Sequence, residues 1–410
     1  MVAGEMVFSL PFHVARYFRP SVLEGLGLSN SELGDVFAVY GVTAMLSYLP
    51  GGIVADRFRA STLMCGSLIA TSAGGAYMAT LPTHIGLAWL YGYWGVTTIF
   101  LFWAAMIRAT RGLGGIDAQG RAFGILDGGR GLAAAVAASV AVEVFARAAA
   151  GTPDVMTSPE RLTALRAVVV FYTVATLAAA GLVWRYVPED HEAREAATSA
   201  RANVATLLGW RASWLQAAIV VCAYCGYKGL DNYSLYAVEV LGMSEIDSAR
   251  FTAMSAYVRP VAALAAGLAA DRLRATSVVV GLFAVLAVAY LLLGLLAPTP
   301  ALAPIVYGNL LVTFVGVFGL RGVYFALLEE SGVPKVSTGR AVGLISLVGF
   351  TPDVFFAPLA GRLLDASPGV AGHQHYFLLL TGIAVAGGVA AAALSAASAT
   401  THQKTRYEND

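Results

Sequence analysis

The chain has 410 residues, 58% of them apolar and 12% charged, with a formal net charge of +1. A soluble domain has about a quarter of its residues charged, so this chain cannot clothe a water-facing globule and is expected to be an integral membrane protein. The near-zero net charge singles out no partner, and nucleic acid is not expected among them.

Charged residues cluster between apolar runs of the roughly 20 residues that a helix needs to cross a bilayer. Twelve such runs are read in chain order: 3–24, 33–55, 61–81, 84–107, 122–146, 162–187, 212–240, 248–270, 277–297, 301–328, 341–363 and 375–398. The alternation of a membrane β-barrel is absent, so the spans are predicted to be helices. The first run begins near Met1, lacks a basic leader and is long enough to span, so no cleavable signal peptide is expected. Cys65, Cys222 and Cys225 all fall inside apolar runs and read as inert thiols.

If the first span runs outward, fifteen Lys and Arg fall in inner segments, from Arg57 and Arg59 through Arg272 and Arg274 to Lys404 and Arg406. Five fall outside: Arg147, Arg161, Arg166, Arg250 and Arg362. That bias predicts both termini in the cytoplasm of a multi-pass cytoplasmic (inner) membrane protein.

Six bases remain within the spans. Arg16 and Arg19 lie three apart in the first span, after His13. In the fifth, FGILDGGRGLAAAVAAS sets Asp127 and Arg130 on one helix face, flanked by Gly128, Gly129 and Gly131. Nine residues from Arg121 place Arg130 about 13–14 Å deep, near the middle of a hydrocarbon core about 30 Å thick. Lys228 and Asp231 repeat the spacing in the seventh span, among Tyr224, Tyr227, Tyr233 and Tyr236. Arg259 precedes Pro260 in the eighth, Arg321 lies in the tenth, and Asp353 follows Pro352 in the eleventh. A charge at such depth is turned toward a partner or a watery cavity. One reading is internal salt bridges: Asp127 with Arg130, Lys228 with Asp231, and Asp353 with Arg259 or Arg321. The other is uncompensated positive charge facing an anionic guest, since bases outnumber the acids weighed beside them.

The chain also repeats itself. GGIVADRFRAST at 51–62 returns as AAGLAADRLRATS at 265–277, and GRAFG at 120–124 returns as GRAVG at 339–343. The expected architecture is therefore all-α, with twelve transmembrane helices in two pseudo-symmetric six-helix halves. The halves are read as 1–187 and 212–398, with a cytoplasmic linker at 188–211 and a tail at 399–410. Parallel repeats with a site between them are a transporter plan.

The loop G-x-x-x-D-R resembles the signature of the major facilitator superfamily, with Gly52, Asp56 and Arg57 matching it in the first half and Gly267, Asp271 and Arg272 in the second. The resemblance implies the major facilitator fold, alternating access, and a gating role for these six residues. The segment HVARYFRPSVLEGLGLSNSELG is similar to the first-span region of the organic-anion-transporting, anion:cation symporter-like branches, in which the arginine matched by Arg16 contacts the substrate anion. Ala15 stands where those branches carry an acid, which leaves the coupling ion open.

The expected function is a secondary active transporter of a small organic anion (a carboxylate, phosphate or sulfonate), coupled to H⁺ or Na⁺. Arg16, Arg130, Lys228 and Arg259 are the candidate anion ligands, and Tyr40, Tyr224, Tyr227 and Tyr257 are candidate cavity walls. Asp127, Asp231, Asp353 and His13 are the candidate coupling groups. An exporter of lipophilic compounds by proton antiport, or a transporter-like receptor, is the alternative. With no nucleotide-binding loop, HExxH or GxSxG in the sequence, no enzyme activity, cofactor or metal is expected. The partners expected are the lipid bilayer, the small anion and the coupling ion, around a monomer.

Overall fold

A computed structural model describes residues 1–114, 119–149, 156–187, 211–299, 301–324, 326–327 and 345–407; the side chains of 49, 56, 111–114, 119–124, 211 and 398–407 are outside that description. The predicted linker at 188–211 and the GRAVG repeat thus lie outside the described residues or at their edge. Regular structure among the described residues is helical throughout, and twelve spans follow one another in the order read from the sequence. Eight of them are long and apolar enough to cross a membrane by length and composition. The first, second, third and seventh are not among the eight: the first and seventh are broken, and the third carries more small and polar residues.

Two prolines account for the breaks in the first span, which runs as Val2–Met6, a π-helical Ser9–His13, Val14–Tyr17 and Arg19–Leu26. Pro11 lies in the π stretch and Pro20 opens the last piece, after Phe18 leaves the helical region with φ −118° and ψ 33°. Pro20 has no N–H to offer the carbonyl of Arg16. The hydroxyl of Ser234 donates to that carbonyl instead, at 2.9 Å. The seventh span breaks likewise, from Arg211–Gly229 through a 3₁₀ turn at Leu230–Asn232 into Tyr233–Glu239. There Tyr376 donates its hydroxyl proton to the Gly229 carbonyl at 2.8 Å. The helix Val370–Tyr407 continues well past the run expected to end at 398.

The chain packs as two compact units. One comprises Met1–Ala200, Asp231–Pro260 and Asp353–Gly369; the other comprises Arg201–Leu230, Val261–Pro352 and Val370–Asp410. In the first unit the helix Asn30–Arg57 carries a capping box, with the Ser29 hydroxyl accepting from the Glu32 N–H and the Glu32 carboxylate accepting from the Ser29 N–H. Asp365, from the helix Pro352–Ala366, accepts from the N–H groups of Asn30 (3.1 Å) and Ser31 (2.7 Å). Three N–H groups that a helix start leaves unpaired are thereby satisfied. Asp365→Ala is expected to destabilise the protein by about 1–2 kcal/mol, read as a lower melting temperature of the purified chain. An unchanged melt would show that water replaces this cap.

Ion pairs gather around the same helix ends. Arg161 reaches Glu24 at 2.9 Å and Glu245 at 2.7 Å, and Arg362 grips Asp35 at 2.9 and 3.2 Å. Beneath them the contact between Asn30–Arg57 and Pro352–Ala366 is backbone on backbone. A Cβ added at Gly34 would collide with Ala357 and Pro358, one at Gly41 with Asp353 and Val354, and one at Gly361 with Asn30 and Ser31. Absent side chains bring these helices together, as small residues do between helices in membranes.

Candidate functional site

Arg130, Arg259 and His13 of the first unit converge on Glu5, a residue not among the sequence-based candidates. Glu5 is 3% exposed. One carboxylate oxygen accepts from Arg130 Nε at 3.1 Å; the other lies 3.2 Å from His13 Nε2 and 3.7 Å from an Arg259 terminal nitrogen. Arg259 in turn donates to Asp127 at 2.8 Å. Two guanidinium groups and two carboxylates from the first, fifth and eighth spans thus form one neutral network, the condition under which buried charge is tolerated.

Glycines shape this network. A Cβ at Gly4 would crowd Met106 and the Arg130 stem, and one at Gly131 would press on the Arg259 stem. Gly129 makes room for the Met1 side chain, and beside Gly128 there is open space. The Arg130 guanidinium lies 5.7 Å from the Phe8 ring centroid and 6.0 Å from that of Trp103, within cation–π reach. Exposure rises across the cluster, from 4% for the Glu5 side chain to 12% for Arg130 and 45% for Asp127. Asp127 is therefore the member of the network least covered by protein.

His13 is buried, with its ring edge-on to Tyr17 and Tyr172 at 5.5 and 5.8 Å. Its Nδ1 and the Tyr172 hydroxyl have no hydrogen-bond partner among the described residues. Arg16 and Asp231, both nearly fully buried, form a second pair at 2.5 Å between the first and seventh spans.

These pairs correct two readings. Asp127 and Arg130 share a helix face, yet each reaches across to another span, Asp127 to Arg259 and Arg130 to Glu5. Asp231 meets Arg16. The count of bases over acids also fails once Glu5 is included, because Arg16, Arg130 and Arg259 each have a carboxylate. The lone acid in the apolar stretch from Met1 to Leu23 was the signal.

The other candidates have contacts of their own. Tyr40 is buried, bonded to Thr98 at 2.8 Å and edge-on to Phe12. Tyr257 is 42% exposed and bonded to Ser139 at 3.0 Å. Asp353, half-buried, supplies backbone to the Gly41 contact. In the second unit Lys228 is buried, Tyr224 packs on Tyr227 and Phe350, and the Arg321 guanidinium lies 3.9 Å over the Tyr227 ring.

In the signature loops Arg57, Asp271 and Arg272 are exposed, and the Asp56 side chain lies outside the described residues. Among the described residues, a Cβ added at Gly52 or Gly267 would meet nothing. The grip on the end of Asn30–Arg57 comes from Arg108 of the fourth span, which donates to the carbonyls of Ala55 and Phe58. A cation on a helix C-terminus complements both its dipole and its unpaired carbonyls. Two arginines near an inner helix end (Arg108 and Arg111) were visible in the sequence, but the partner helix was not.

Residues 3–357 match the family model of the Major Facilitator Superfamily. Inner membrane protein YqcE of Escherichia coli (strain K12) is 25% identical over 388 residues, covering 92% of this chain and 88% of its own. Inner membrane protein YihN of the same organism is 25% identical over 398 residues, covering 95% and 92%. Among solved structures, a bacterial homolog of the human lysosomal transporter Spinster, inward-facing and occupied, superposes with a TM-score of 0.76 at 12% identity, over 96% of this chain and 95% of that one. A D-xylose–proton symporter gives 0.71 at 16% identity, over 96% and 95%. With its helices, its duplicated loop and a family match over most of its length, the chain belongs to the major facilitator superfamily.

Proposed function

We propose that this major facilitator transporter carries a small organic anion by alternating access, with Arg130 as the principal anion ligand and Arg16, Arg259 and Lys228 as further ligands. The observation that carries the reading is the setting of Arg130. Its planar fork, suited to carboxylate, phosphate or sulfonate, lies beside two aromatic rings and a half-exposed acid and is held by one carboxylate that an anion can replace. Coupling to H⁺ or Na⁺ falls to the titratable groups within the spans, with His13, Asp127, Asp231 and Asp353 as candidates. The two G-x-x-x-D-R loops serve the gate.

A second reading rests on the complete pairing of the three arginines: a neutral network also suits an uncharged polar solute. The structural neighbours include transporters named for xylose and for nucleosides. A thermal-shift screen of the purified protein separates the two readings. Small carboxylates, organophosphates and sulfonates are run beside sugars, nucleosides and lipophilic cations, with Arg130→Gln in parallel. The anion reading expects one anion class to raise the melting temperature of the wild type, and at least a tenfold loss of its affinity in Arg130→Gln, corresponding to about 1.4 kcal/mol. Stabilisation by sugars or nucleosides alone, or by lipophilic cations unaffected by the substitution, overturns it.

A further inference from the structure

We infer that Glu5 and His13 together are the coupling site, and that the coupling ion is a proton taken up when an anion draws Arg130 away from Glu5. The inference rests on the anion reading and extends it to a residue outside the expected coupling set.

Among the described residues, Glu5 is the one carboxylate contacted by both arginines of the network and by His13, and it is fully enclosed. In this arrangement the charges of Arg130 and Arg259 compensate it, with Arg259 shared with Asp127. An anion that engages the Arg130 fork takes over that charge. The carboxylate left behind is buried and has lost its nearest guanidinium, a state that costs several kcal/mol unless the charge is neutralised. A proton neutralises it, held on a Glu5 oxygen or shared with His13 Nε2 at 3.2 Å, so the uptake belongs to the pair. The balance is simple: one anion and one proton enter, the Arg130–Glu5 bond breaks, and an Arg130–anion bond and a proton bond at Glu5–His13 replace it.

The surroundings favour a proton over Na⁺. Two guanidinium groups lie within 3.7 Å of the carboxylate, and the other groups facing the pair are Asp127 behind Arg259, the Met1 amino group toward Arg130, and Tyr17 and Tyr172 against His13. Na⁺ is a hard cation that takes a shell of oxygen ligands, and this ring supplies mostly nitrogen donors. Meanwhile His13 Nδ1 is buried with no partner among the described residues, so the imidazole has a vacant position on its far side.

Proton counting on the full-length protein tests the inference. In weakly buffered detergent solution with a pH indicator, saturating potassium gluconate or glycerol phosphate is added, whichever raises the wild-type melting temperature. The wild type is expected to take up about one proton per chain. The dissociation constant of that probe should rise about tenfold per pH unit, and replacing K⁺ with Na⁺ should change nothing. In Glu5→Gln the probe should bind with no uptake and a flat pH profile. Wild-type binding without proton uptake overturns the inference, as does uptake that survives in Glu5→Gln or a requirement for Na⁺.

Where neither probe shifts the wild-type melt, the anion reading is the part in difficulty, and a probe-free titration decides the coupling site. Arg130→Gln should bind about one more proton than wild type near neutral pH, and Arg130→Gln/Glu5→Gln should not. Equal proton binding by the three proteins overturns the assignment.

Discussion

Gly41→Ala is expected to weaken the packing of the first unit strongly. The new Cβ would stand inside the Asp353 carbonyl and against the Val354 nitrogen, and because these are backbone atoms no rotamer change relieves the clash. Overpacking of a close contact costs about 1–3 kcal/mol, which for a molecule with a second conformation is a roughly 5- to 150-fold shift in population. A cross-linking reporter reads it. Cysteines replacing Asp35 and Arg362, whose side chains meet in a hydrogen bond, should be joined by a short bifunctional thiol reagent in the parent and at least fivefold more slowly with Gly41→Ala. Gly281→Ala, where a Cβ meets nothing, is the control. Equal cross-linking in all three would mean that these helices do not touch through backbone.

The second large effect belongs to the Arg16–Asp231 pair. Both side chains are less than a tenth exposed, so Asp231→Asn removes a buried counter-charge 2.5 Å from the Arg16 guanidinium. Breaking such a pair from one side costs about 3–5 kcal/mol, whereas replacing both partners with apolar groups is often nearly neutral. Chemical or thermal unfolding of Asp231→Asn should show a marked loss, and Arg16→Met/Asp231→Leu should lose less than the sum of its single variants. Strict additivity would show that the two charges act separately.

The helices and their order were legible because a bilayer demands about 20 apolar residues in succession, and the polar residues between runs mark their ends. Ser29 and Glu32 sit just outside the run at 33–55 and proved to be its cap. The duplicated G-x-x-x-D-R loop carried the family as well. Pro11 and Pro20 mark the breaks of the first span in the sequence, whereas the 3₁₀ turn of the seventh leaves apolar content unchanged and was not legible. Nor were the charge partners. Spacing on one helix pointed Asp127 to Arg130, but Arg130 is bonded to a residue 125 positions away, and Asp231 meets Arg16, 215 positions away. Such pairings depend on how helices pack, which local spacing does not record. Glu5 was missed for a plainer reason: attention went to bases lacking an acid, and the acid stood at the start of the first run.

The fourth span carries eight residues of π-helix, Val96–Trp103, between the α-helical pieces His84–Gly95 and Ala104–Gly114. A π turn takes in about one residue more than an α turn, and each extra residue sets back the rest of the helix by about 100° around the axis. A single helical wheel drawn from His84 therefore points Trp103 away from the direction in which it meets Arg130. The span acts as two helices in different phase, the first presenting Tyr91 and Trp94 to the aromatic packing around Phe37, with Trp103 at the end of the π stretch between them turned to the charge network. One continuous apolar sequence thus serves two neighbourhoods that an unbroken α-helix would have turned out of alignment.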